Sequence, residues 1–164
     1  MRAATYEYDR GLAGDFSFIA HESLHAFGLV HAHDDRGADY GDAWDVMGYY
    51  YTYQIHRPNG WMVGPESNAA HRSMLGVMPA GPLMVKVPVD SGYYTVEFRQ
   101  RSGYDINLPE DAVQVHWVTG RDTYLQTSPA DRLIEGDVFS DARLSVRVDA
   151  VDPGAGTATV TIAY

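Results

Sequence analysis

Apolar and polar positions first repeat at helical spacing between Phe16 and Phe27, where Ile19 with Ala26 and His21 with His25 recur on common faces beside Phe18 and Leu24. Asp15 is the expected N-cap and Gly28 the stop. From Leu29 to about Pro65 the chain is rich in Gly, Asp and Tyr and lacks a sustained period, so it reads as loop. "SNAAHRSMLGVM", residues 67–78, predicts a second helix capped by Ser67 or Asn68 and ended by Gly76. After Pro79 the runs are short and β-branched or aromatic: "PLMVKVPV", "YYTVEFR", "AVQVHWV", "RLSVRVDAV" and "TATVTIAY". Leu144, Val146, Val148 and Ala150 alternate onto one expected face, and Val160 with Ile162 onto another. The pattern predicts an α+β chain, with the helices in residues 1–80 and a small antiparallel β-sandwich in 81–164.

Composition narrows the chemistry. A chain of 164 residues with 45% hydrophobic content can bury a real core. Twenty-two acidic against twelve basic residues give a net charge of −10, which disfavours nucleic acid and anionic membrane surfaces as partners and suits cations. With no cysteine, thiol catalysis, disulfides and cysteine-ligated zinc are excluded. No apolar run approaches the ~20 residues of a membrane span, and "MRAATYEYDRGLAGDFSFIA" holds no stretch like a signal peptide.

The densest chemistry lies in "HESLHAFGLVHAHD", residues 21–34. On a helix His21 and His25 project from the same face one turn apart and can share an ion. Glu22, adjacent to the first of them, can reach a water at the metal's open position and act as its general base. Gly28 lets the chain leave the helix and return, so that His31 can approach the same ion. Three nitrogens leave a fourth position free, the arrangement of a catalytic zinc rather than a structural one. Chance assembly of H-E-x-x-H-x-x-G-x-x-H from this composition has a probability of roughly 4 in 100,000.

This motif, followed sixteen residues after His31 by "WDVMG", resembles the metzincin zinc metalloproteases, whose signature is the long histidine motif and then a methionine-containing turn. The resemblance implies that Met47 is the apolar floor beneath the ligands and that Tyr49, two positions later, ligates zinc or stabilises an oxyanion. "YGDAWDVMG" and "NAAHRSMLG" are similar to the gametolysin-like and immune-inhibitor-A-like secreted bacterial peptidases, and "YYTVEFRQRSGYD" and "LIEGDVFSD" to the domain that follows their catalytic module. It therefore implies the C-terminal part of a metzincin catalytic domain (zinc helix, Met-turn and second helix) ahead of the sandwich, and a secreted location. The family's sheet and helices upstream of the zinc helix have no counterpart in the twenty residues before His21, so the expectation is an N-terminally truncated chain.

Other residues carry weaker expectations. Asp34, Asp35, Asp39, Asp42 and Asp45 crowd one loop and could hold calcium, although their spacing does not match the regular calcium loop. His33 is expected as a solvent-exposed loop residue, and His71 as a surface or capping residue or one that reaches the cleft. His56 and His116 have no nameable partners. Two functional readings follow: a zinc-dependent endopeptidase acting on a protein or peptide substrate, or a catalytically incompetent zinc-binding fragment or β-sandwich accessory module of a truncated protease.

Overall fold

The computed structural model describes residues 16–56, 62–76, 84–127 and 131–164. The expected cap Asp15, residues 77–78 of the expected second helix, and residues 82–83 of the first expected strand run lie outside them. Helix α1 spans Phe16–Ala26 and buries Ser17 and His21. It ends in a Schellman motif: the Leu29 N–H donates to the Leu24 carbonyl at 3.2 Å and the Gly28 N–H to the His25 carbonyl at 2.9 Å. Gly28 has the left-handed φ of +91° that this closure needs. Leu24 and Leu29 then meet in one apolar cluster. Helix α2, Ala69–Met74, is shorter than expected; the Asn68 Oδ1 caps it by accepting the His71 N–H at 2.9 Å.

Sheets make up most of the structure. The strands are β1 (Ala32–His33), β2 (Ile55–His56), β3 (Met62–Val63), β4 (Met84–Val89), β5 (Gly92–Arg99), β6 (Ala112–Thr119), β7 (Asp122–Leu125), β8 (Val138–Ser140), β9 (Ser145–Asp152) and β10 (Thr157–Ala163). They form a five-stranded sheet β1-β7-β6-β5-β4, a three-stranded sheet β10-β9-β8 and the small β2-β3 pair. All pairings are antiparallel except β1 with β7, where Ala32 stands opposite Thr123. Val87, Tyr94, Val96, Val113 and Val115 of the larger sheet share one core with Phe139, Leu144, Val146 and Val148 of the smaller. The fold is mixed α+β, with two sheets layered in a way compatible with a β-sandwich.

One expected face changes phase. Thr159 pairs with Ala150 but Val160 pairs with Val148, so Asp149 is an extra residue and the strand carries a bulge. Beyond it the alternation flips: Ala150 is exposed, and Val151 packs on the core in its place.

The opposite face of the large sheet is polar and also buried. Thr95, Glu97, Arg99, Gln114, His116 and Thr123 are nearly inaccessible there. Residues from the first half of the chain cover this face: Asn68 reaches within 3.2 Å of His116, and the Ala69 N–H donates to Glu97 at 2.6 Å. The chain segment that follows α1 therefore joins the β-rich half both through β1 and through this buried polar layer.

Candidate metal centre

The three motif histidines converge. Each of His21, His25 and His31 offers one ligand atom, and these atoms lie within 4.8 Å of one another, the only such cluster of three or more potential ligands among the described residues. The ring centroids are 4.7, 4.9 and 5.3 Å apart.

Their outer nitrogens face oxygen. His21 Nδ1 lies 2.8 Å from the Val46 carbonyl and His25 Nδ1 lies 2.9 Å from the Leu29 carbonyl. A carbonyl only accepts, so both Nδ1 atoms carry a proton, and in a neutral ring that leaves the lone pair on Nε2. The two Nε2 atoms are 3.1 Å apart, a contact that a shared proton or a metal ion between them would account for. Tetrahedral zinc, with Zn–N bonds of about 2.0–2.1 Å, sets its nitrogens about 3.3–3.4 Å apart, so the donor set fits such an ion. Burial pushes the His21 imidazole below its usual pKa, and the proximity of His25 and His31 adds to this against the Val46 bond, which favours the neutral ring a metal needs.

The surroundings are built from short local devices. The Schellman turn after α1 aims the Leu29 carbonyl back at His25. The loop at Asp42–Gly48 supplies the Val46 carbonyl and buries Met47 completely, in a cluster with Leu29 and Val46 beneath α1. Met47 therefore packs under the helix that carries the first two histidines, and its carbonyl accepts the Ala32 N–H at 3.0 Å, just past His31. Glu22, adjacent to His21 on α1, is exposed.

Two residues beside the histidines were not singled out from the sequence for this place. Tyr40 lays its ring 3.8 Å from that of His31 and stacks at 5.9 Å on His21. Burial, with Asp39 and Glu22 nearby, holds its hydroxyl above the usual pKa and so in the neutral form. Asp39 places one carboxylate oxygen 3.4 Å from His31 Nδ1 and the other 3.3 Å from His33 Nδ1. Tyr49 instead is exposed, with its ring 6.0 Å from that of Tyr51. No periodicity marks Asp39 or Tyr40; the only local hint is the Gly37 and Gly41 punctuation on either side.

The remaining histidines and aspartates sort differently from their expectations. His33 is half-buried in β1 rather than a solvent-exposed loop residue, and its ring stacks at 5.1 Å on Tyr124. His71, expected at a surface or cleft, is fully buried, with Nδ1 2.7 Å from Asp45 Oδ2. Its Nε2 lies 3.4 Å from the Thr123 hydroxyl, and although burial opposes the proton, the Asp45 carboxylate raises the ring's pKa above the usual value. His116 is likewise buried and pairs with Asp42 at 2.9 Å. His56 lies in β2 opposite Met62. Of the aspartates considered for calcium, Asp42 and Asp45 belong to this buried network, Asp34 caps the Arg36 and Ala38 amides at 2.9 and 2.7 Å, and Asp35 is within 3.9 Å of Arg36.

Comparison of the chain with protein-family models, with curated proteins and with solved structures finds no match in any of the three. No described helix is long and apolar enough to cross a membrane.

Proposed function

We propose that this chain carries the metal centre of a metzincin-like zinc metalloprotease that hydrolyses peptide bonds, with His21, His25 and His31 as zinc ligands and Glu22 as general base. The observation that carries the reading is the convergence of ligand atoms from the three motif histidines within 4.8 Å, two of the rings with Nδ1 held by a carbonyl and their Nε2 atoms 3.1 Å apart. A zinc ion bound there supplies Lewis acidity that makes a water nucleophilic near neutral pH. The Glu22 carboxylate accepts that water's proton and returns it to the leaving amine nitrogen. Met47 floors the site by packing, and the stacked ring of Tyr40 walls its outer side. On the motif's resemblance to metzincins, the substrate proposed is a protein or peptide and the location proposed is extracellular.

A second reading has its own support. The β-rich half accounts for most of the ordered sheet, and a zinc site within an accessory module would show the same histidine geometry. Zinc content and peptide cleavage separate the two. Purified, dialysed protein is expected to retain about one zinc per chain by elemental mass spectrometry, and Glu22→Gln to keep the metal while losing at least about 100-fold in cleavage rate. Zinc retention without cleavage by the unaltered chain would favour the accessory module; no zinc at all would remove the protease reading.

A further inference from the structure

Resting on that metal reading, we propose that Asp39 is a positioning residue of the site, holding His31 in the tautomer and orientation that present Nε2 to the ion. The asymmetry among the three ligands points to it. His21 and His25 are oriented by main-chain carbonyls, those of Val46 and Leu29. His31 has a side-chain carboxylate in the equivalent place, with Asp39 Oδ2 3.4 Å from its Nδ1. Negative charge beside Nδ1 favours the proton there and leaves the lone pair on Nε2, the arrangement in which a histidine ligand's second nitrogen faces a carboxylate.

The backbone of Asp39 is itself held in place by a β-bridge to His33, whose Nδ1 lies 3.3 Å from the other carboxylate oxygen without a hydrogen bond. His33 stacks on Tyr124 of β7, so the anchor reaches the large sheet. On the other side Tyr40, at a left-handed φ of +61°, turns its ring onto the face of His31. A backbone conformation that a tyrosine rarely adopts places Asp39 on the edge of the imidazole and Tyr40 on its face. One dipeptide thus fixes the third ligand in two directions.

The test uses the full chain with its metal removed, titrated with zinc in competition with a chromophoric chelator. Asp39→Ala is expected to raise the zinc dissociation constant about tenfold, the low end of the 10–100-fold range for such outer partners, because the carboxylate is 62% exposed and screened. Asp39→Asn, which keeps an oxygen acceptor without the charge, should fall between the two. The metal-free variants should unfold at the same urea concentration as the unaltered protein, which a merely structural role would not allow. Zinc affinity unchanged in Asp39→Ala, or lost only in step with metal-free stability, overturns the proposal while leaving the metal site standing. A parent chain that binds no zinc overturns the metal reading and this inference with it.

Discussion

Asp45→Asn tests how the loop beneath α1 is held. The Asp45 carboxylate is fully buried and accepts three hydrogen bonds, from the Met47 N–H at 2.7 Å, the Asn68 N–H at 3.2 Å and His71 Nδ1 at 2.7 Å. Burial opposes its ionised form, but the charge and hydrogen bond of His71 outweigh this and hold its pKa down at about 2. For His71, burial opposes the proton, and Asp45, with help from Asp42 and the Val30 carbonyl, raises the pKa above the usual value. Removing one partner of a buried pair costs about 3–5 kcal/mol. Asparagine keeps one acceptor but no charge, so a loss of about 3 kcal/mol is expected at pH 5.5. The pH dependence gives a second handle. The Asp45 contribution is present above about pH 3.9 and is lost as pH falls toward its depressed native value; the His71 contribution is present below about pH 6.5 and is lost as pH rises through its elevated native value. The pair therefore stabilises most between about pH 4 and 6.5, and the difference between parent and variant should shrink above that window. Urea unfolding of the metal-free proteins from pH 4 to 9 measures it. A difference below about 1 kcal/mol, or one that grows with alkaline pH, would refute the ion pair.

Gly28→Ala should cost about 1–2 kcal/mol in thermal or urea unfolding, because alanine must adopt the left-handed φ of +91° at the helix stop. It should also weaken zinc binding, since the Leu29 carbonyl that orients His25 hangs on that turn. Met47→Leu conserves volume in the sealed cluster under α1, so calorimetry should read a loss under about 1.5 kcal/mol. Its zinc stoichiometry should not change; loss of zinc in that variant would mean that the thioether does more than pack.

The parts of this fold written in local pattern were legible, and those written in long-range pairing were not. Helix α1 ends within a residue of the expected Phe27 because its stop is a glycine, and β5, β6, β9 and β10 follow runs long enough to show β-branched or aromatic character. Strands β1, β7 and β8 are two to four residues long, too short for alternation to register, and β1 exists only because β7 is there to pair with it. Gln114 and His116 alternate with Val113, Val115 and Trp117, yet they too are buried, because the first half of the chain lies over that face. His71 and His116 could not be assigned since Asp45 and Asp42 stand 26 and 74 residues away. The histidine motif was visible because its geometry is carried by a single helix and a turn, whereas Asp39 and Tyr40 reach His31 through a loop whose shape no period encodes.

Where the orienting oxygens come from also bears on how the site assembles. They belong to Leu29, Val46 and Asp39, and the segments that hold them are tied to one another by hydrogen bonds and strand pairing. The turn after α1 closes on the helix itself, the Met47 carbonyl holds the Ala32 amide, and β1 is paired into the large sheet. Asp45 fixes the amide of Met47 and pairs with His71 of α2, so a single buried ion pair joins the loop beneath α1 to the second helix. A zinc finger needs its ion to bring distant ligands together, because nothing else in so small a unit does so. Here hydrogen bonds and a packed cluster also link those segments, so a chelator is expected to strip the proposed ion without unfolding the chain.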